Sequence, residues 1–448
     1  MNDLFDKAPV RKAYMQLALP VVLGMVASMV YNLADTFFVA KTGNANLVAG
    51  IAIGAPLFSF MLAVGDIFGL GGSAVISRLM GQQNHRTAAE LSAFCFYAAI
   101  AFSVVLTAVM LVFERPLLHL MGATSATYPY AADFYRMLAL GAVFIIVSLV
   151  PGNIIRTEGL AKQSMIATLA GTALTIVLDP IFLFGLHWGA MGVGFANVLG
   201  YVVNTSLLVW FMHSKARVLT LNVRQVHATR SALWAVVSIG IPASLTNFMQ
   251  SFGMMLLNNY LARFGADAVA AMGIAQKIYM VVMLIMVGFA FGAQPLIGYC
   301  YGAKNWSRLR AVLRFDFEVE VGYALVAGAV IMLLAKPLVA AFMSAPEIVT
   351  MGTLMLRALL LTTPLIGAIL VFTTVFQSTG KPLPALLMAI SRQGVLFAAA
   401  LIALAAAFGF TGVVWAQPVA DALTFALGLV LYRRSFDLAA LEKDGRAA

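Results

Sequence analysis

The sequence predicts an all-α membrane protein of twelve transmembrane helices in two parallel six-helix lobes, and three observations carry that expectation. Of 448 residues, 62% are hydrophobic and only 10% are charged, more apolar surface than a water-soluble chain of this length can hide. Apolar runs recur along the whole chain, each near or above the ~20 residues that cross a ~30 Å hydrocarbon core. The third observation is an internal repeat of about half the chain.

Taken in order, spans are expected near residues 13–40, 46–76, 90–113, 131–157, 164–186, 189–213, 232–262, 268–300, 311–334, 349–378, 384–408 and 411–433. The first run is too long for a signal-peptide core and no small-residue cleavage site follows it, so it reads as a retained span. Gly, polar and charged residues punctuate the gaps, as in Lys41-Thr-Gly-Asn44 and Gly302-Ala-Lys-Asn305. Cys95 and Cys300 fall inside spans, which leaves no disulfide framework and no metal cluster.

Sliding the chain by 222 positions lays Pro20 on Pro242, Ala40 on Ala262 and Gly43 on Gly265. A shift of 221 aligns Gly71 with Gly292, Gly81 with Gly302, Asn84 with Asn305, Arg136 with Arg357 and Gly159 with Gly380. Six spans are therefore duplicated in parallel orientation, an architecture suited to alternating access. The expected division is an N-lobe at 1–212, a basic cytoplasmic linker at 213–231, a C-lobe at 232–434 and a cytoplasmic tail at 435–448.

Charge orients the bundle. Twenty Lys and Arg fall on one side, Lys7, Arg11, Arg78, Arg156, Lys443 and Arg446 among them, and four on the other, Lys41, Arg115, Arg263 and Lys336. Because cytoplasmic loops retain positive charge, both termini are expected in the cytoplasm of a bacterial-type inner membrane. The net charge of +10 then reflects topology and anionic lipid headgroups, with no need of a nucleic-acid partner.

Ionisable groups inside spans are costly and mark polar interiors. Ser28, Asn32 and Asp35 share one face of span one at i, i+4, i+7. Thr168, Thr172, Thr175 and Asp179 repeat the device on span five, and Asn197, Tyr201 and Asn204 on span six. Helical rise sets Asp35, Asp179 and Asn197 at one depth, roughly 8 to 12 Å below the outer helix ends. Pro180 cannot donate to the carbonyl of Ile176, which frees an oxygen for a cation or water. Such carboxyl, hydroxyl and amide oxygens can hold Na⁺, with Asp35, Asp179, Thr175 and Asn197 as ligands. Alternatively, low dielectric and mutual repulsion let the carboxyls hold a proton. The plainer reading is hydrogen bonding between neighbouring helices. Met29 and Phe37 on span one, with Met249, Phe252 and Met254 on span seven, could line an adaptable apolar cavity, with Gln250 beside them. Lys277 and Asp421 lie at similar depth, where a structural ion pair is geometrically feasible. Glu158 and Arg156 read as a clamp at a cytoplasmic helix end.

In each half a Pro near the start of the first span (Leu19-Pro20, Ile241-Pro242) precedes an Ala-Lys/Arg-x-Gly loop. The second spans end in Gly81-Gln-Gln-Asn84 and Gly302-Ala-Lys-Asn305. Together with Asn32-Leu-Ala-Asp35, Arg156-Thr-Glu-Gly159 and Pro418-Val-Ala-Asp421, these patterns resemble the multidrug and toxic compound extrusion (MATE) transporters over almost the whole chain. The resemblance implies an N-lobe cation site built from an Asp in span one, an Asn-x-x-x-Asp pair in span five and a polar residue in span six. Here Thr175 stands at the Asn position, and Asn197 where Thr is common. Gln250 stands where one branch carries a glutamate and span ten lacks an aspartate, so the chain is nearer the branch without a C-lobe acidic site.

The implied function is secondary-active export of amphipathic, cationic organic compounds by antiport with H⁺ or Na⁺. No Walker loop, metal-ligand spacing or nucleophile motif appears, so neither an enzyme nor a resident cofactor is expected. The expected partners are drug-like small molecules and the lipid bilayer, with the chain acting as a monomer. The alternative is a flippase or exporter of lipid-linked or other large polar cargo, which would carry strong basic charge in its cavity. A non-transporting receptor or scaffold would carry a substantial soluble output domain, and none is evident.

Overall fold

The computed structural model describes residues 3–226 and 229–436. Most of the expected tail at 435–448, with Lys443 and Arg446, lies outside them. Among the described residues every regular element is a helix. The long ones are α1 (Val10–Lys41), α2 (Ala45–Gly81), α3 (His85–Val112), α4 (Tyr128–Ile154), α5 (Ala161–Pro180), α6 (Gly189–Lys215), α7 (Arg230–Leu261) and α8 (Ala266–Gly302). Next come α9 (Trp306–Leu333), which bends by 65° into Ala335–Phe342, and α10 (Pro346–Leu361), continued by Thr363–Ser378 across a 45° bend. The last, α11 (Pro382–Ser435), has 54 residues, where one crossing uses ~20. Within it Gly409 takes φ 57°, ψ −131°, a conformation open to glycine. The chain reverses there, setting Gly412 against the carbonyl of Leu404. Counting α11 as two crossings accounts for twelve.

The repeat is written into the backbone as well as the sequence. Helices α2 and α8 each have 37 residues. Both end in a turn with a non-glycine residue at positive φ, Gln83 at 58° and Lys304 at 54°. The Asn that follows caps the next helix in each copy: Asn84 accepts from the Thr87 N–H at 3.3 Å and Asn305 from that of Arg308 at 3.1 Å. Gly159 and Gly380 hold matching left-handed positions at φ 82° and 73°.

Contacts divide the chain into two units, one of Leu23–Gly240 and one of residues 3–22 with 241–436. The sequence reading put the division at the linker, 213–231; by contacts it falls inside α1 and α7, close to Pro20 and Pro242, where the ring interrupts the backbone ladder. The segment after α6 is held to the first unit. Glu158 accepts the backbone N–H groups of Arg217, Val218 and Leu219 at 2.8, 2.7 and 2.7 Å. Arg156 bonds instead to Asn153 and Ser164. In the second unit, Tyr14 of α1 is buried and donates to Asp316 of α9 at 2.7 Å.

Candidate cation-coupling site

Two glycines let α5 and α6 approach closely in the first unit. A Cβ on Gly171 would lie 2.5 Å from the Gly200 carbonyl oxygen, and one on Gly200 would collide with the Thr175 hydroxyl. Small residues of this kind let helix backbones meet in lipid. The contact carries Thr175, Asp179 and Asn197 into one buried layer, at 4%, 1% and 7% exposure. The Thr175 hydroxyl donates to the Gly171 carbonyl at 3.0 Å, so its lone pairs stay open. A π-turn, Ile181–Gly185, follows Pro180 and ends α5 just beyond Asp179.

From α1, Asp35 faces Asp179 at hydrogen-bonding range. Neither oxygen of Asp179 has a donor, and Oδ1 of Asp35 is likewise buried without one. No Lys or Arg among the described residues acts on either carboxyl. A proton shared between them, or a cation, would supply the missing partner; ionised and bare, each would cost several kcal/mol. Tyr31, one turn before Asp35, donates its hydroxyl to Asn197 Oδ1 and lies within electrostatic reach of Asp35, Asp179 and Tyr201. The sequence reading missed Tyr31, although its i, i+4 relation to Asp35 was available. Asn204 Oδ1 is buried without a partner farther along α6.

Other expected residues stand apart. Asn32 is exposed, and its amide nitrogen donates back to the Ser28 carbonyl at 2.9 Å. On the same helix Met29 is half-buried and Phe37 exposed. In the second unit Gln250, Phe252 and Met254 are exposed on α7, while Met249 packs against Gly394.

The ion pair expected between Lys277 and Asp421 is not formed. Lys277 is exposed, and Asp421 pairs with Arg392 at 3.0 Å. Asp421 also accepts from Gln417 at 2.9 Å and Thr362 at 2.8 Å, and Arg392 reaches the Tyr279 hydroxyl at 3.0 Å. A π-turn, Ser391–Val395, with Gly394 off the helical region, aims the guanidinium. Helical rise says nothing of the direction in which Lys277 points, and its side chain is exposed. The second unit also buries Asp316 and Glu320, both fully, which the sequence reading did not count among the intramembrane charges. Among the described residues no three His, Cys, Asp or Glu gather as a metal centre.

Comparison with known proteins agrees with this architecture. The MatE family model matches twice, at residues 20–181 and 242–421, one match per repeat. The multidrug export protein MepA of Staphylococcus aureus (strain MSSA476) is 29% identical over 430 residues, covering 96% of this chain and 95% of the relative. MepA of Staphylococcus haemolyticus is 27% identical over 95% of this chain and 94% of its own. Among solved structures, an outward-facing multidrug resistance MATE transporter of the MOP superfamily superposes with a TM-score of 0.92 at 26% identity, covering 98% of both chains. A MOP superfamily transporter from Pyrococcus furiosus gives 0.91 at 25%, again covering 98% of both. The chain belongs to the MatE family, and is a multi-pass membrane transporter rather than an enzyme.

Proposed function

We propose that this transporter is a secondary-active multidrug exporter, driven by H⁺ or Na⁺ moving inward through the Asp35–Asp179 pair. One observation carries the reading: buried Asp179 has no donor for either oxygen, and half-buried Asp35 beside it holds a buried Oδ1 that also lacks one. A membrane protein keeps such a pair only where an exchangeable positive charge completes it. Thr175 and Asn197 supply neutral oxygens suited to Na⁺, and the close carboxyls suit a shared proton. The cargo is an amphipathic organic cation, handled by Met29 and Phe37 in the first unit and by Met249, Gln250, Phe252 and Met254 in the second, with export coupled to release of the bound ion. That cargo follows from the charge: Asp35 and Asp179 are uncompensated acids, whereas Arg392 is consumed by Asp421. A flippase for polyanionic cargo would need free basic groups at such depths. The protein acts as a monomer in the inner membrane with both termini cytoplasmic, as the distribution of Lys and Arg supports.

The test is efflux of a fluorescent lipophilic cation from vesicles in which Na⁺ and pH gradients are imposed separately. One gradient alone should drive export in the wild type, and neither should in Asp35→Asn. Export that proceeds at wild-type rates in Asp35→Asn would overturn the assignment.

A further inference from the structure

We infer that Asp316 and Glu320 form a second proton-binding site, inside the second unit and separate from the Asp35–Asp179 pair. The two acids lie one turn apart on α9, so they project from one face. Both are 0% exposed. Of their four oxygens only Asp316 Oδ1 has a donor, the Tyr14 hydroxyl at 2.7 Å; Asp316 Oδ2 and both oxygens of Glu320 have none. The contrast with Asp421, which collects donors from Arg392, Gln417 and Thr362, shows how this same unit satisfies a buried aspartate.

Among the described residues the surroundings offer no compensating charge. Tyr14 from α1 and Tyr323 from α9 are the titratable groups that face the pair. From α8 the Ala290 backbone N–H comes near the Glu320 carboxyl, short of a formed hydrogen bond, and from α10 Gly367 packs on the backbone of Glu320. The nearby cations are engaged elsewhere: Arg11 lies over the Phe315 ring, 5.7 Å from its centroid, and Arg314 pairs with Glu318 at 2.9 Å on the exposed side of the helix. An ionised carboxylate left bare at this depth costs several kcal/mol, and a second beside it costs more. Binding a proton removes that cost. Tyr14 already supports charge on Asp316, so Glu320 is the group that carries the proton.

Infrared spectroscopy of the full chain in nanodiscs reads the carbonyl stretch of protonated carboxyl groups directly. In an Asp35→Asn/Asp179→Asn background, which silences the first pair, a protonated-carboxyl band should persist at neutral pH in Na⁺-free buffer and in Na⁺ alike. Adding Glu320→Gln should remove it. Adding Tyr14→Phe instead should enlarge it, because Asp316 loses its donor while the ring still packs on Phe315. Should Glu320→Gln fail to assemble, the background protein still decides: no band at neutral pH overturns the site. A band indifferent to Glu320→Gln overturns it too, and a band that Na⁺ abolishes means that a metal cation, and no proton, completes the pair.

Discussion

Asp179 in the first unit and Asp421 in the second are both almost wholly buried aspartates, yet their surroundings are opposite. Asp421 lies against a guanidinium, an amide and a hydroxyl, whereas Asp179 has no donor for either oxygen and faces Asp35. A buried carboxylate that owns its counter-charge belongs to the scaffold, since removing the partner would strand it. One that does not own a counter-charge must borrow it from solution. The difference separates a structural acid from one available, as we propose, for coupling.

The sharpest way to break this comparison is to neutralise each kind of acid. Asp35→Asn and Asp179→Asn should each reduce gradient-driven efflux to the level of vesicles lacking the transporter, with expression and membrane insertion intact. Asp179→Asn should also abolish any Na⁺ stimulation, because one of the two charged ligands is gone. Efflux measured with and without Na⁺ checks both. If both responses survive in Asp179→Asn, the two carboxyls do not share an ion.

Next in size is the scaffold acid. Arg392→Met leaves Asp421 ionised and bare, with an expected loss of about 3–5 kcal/mol, read as a fall in the thermal unfolding temperature of purified protein. Arg392→Met/Asp421→Leu should recover most of that stability, since an apolar pair tolerates burial. If the double variant is no more stable than the single one, Arg392 has a role beyond neutralising Asp421.

Smaller still is Gln250→Ala on α7, expected to weaken cargo handling by several-fold, equivalent to about 1 kcal/mol of lost contact. Ion dependence should remain, since the proposed coupling acids Asp35 and Asp179 lie in the other unit. Dye-efflux titrations at fixed gradient measure it, and loss of ion dependence in this variant would reverse the roles given to the two units.

The smallest expected effect lies at the membrane surface. Glu114, on the short helix Glu114–Leu120, accepts two bonds from Arg136 at 2.8 Å each, which hold its carboxyl below the ordinary value of 4.5. A lowered carboxyl contributes stability above its ordinary titration range, and that contribution is lost as pH falls through its native value. Arg136 is half exposed, so Glu114→Gln should cost no more than about 1 kcal/mol at neutral pH. The difference from wild type should close in acid, as thermal melts at neutral and acid pH would register.

The helices, their duplication and the acidic stripes were legible because lipid imposes a simple code: apolar runs of fixed length, with charge only where there is a partner or an ion. What the code omits is azimuth and exchange. Depth along a helix drew Lys277 toward Asp421, but the π-turn at Ser391–Val395 swings Arg392 there instead. Asp316 and Glu320 were hidden by Arg314 and Glu318, whose i, i+4 pair makes that stretch of α9 look like a wet helix end. Tyr31 carries no charge, so hydropathy gave no reason to place it between the carboxyls and Asn197. Asn32 shared the right stripe with Asp35, yet at i+3 it turns far enough to stay exposed.

The attachment of the inner half of α1 to the second unit sets an order of assembly. Tyr14 is synthesised ahead of the carboxyl it bonds, Asp316, which follows 302 residues later. At about 5–20 residues per second, ribosomes need roughly 15–60 s to supply that partner. Through that interval the inner half of α1 waits in the bilayer without its native neighbours, while most of the helices of the first unit are already at hand. This stretch of α1 is therefore made well before the partner that buries it. A truncation that stops translation before α8 would leave both Tyr14 and Ala18, which packs on Gly292 of α8, without their partners and open to quality control, however complete the first unit had become.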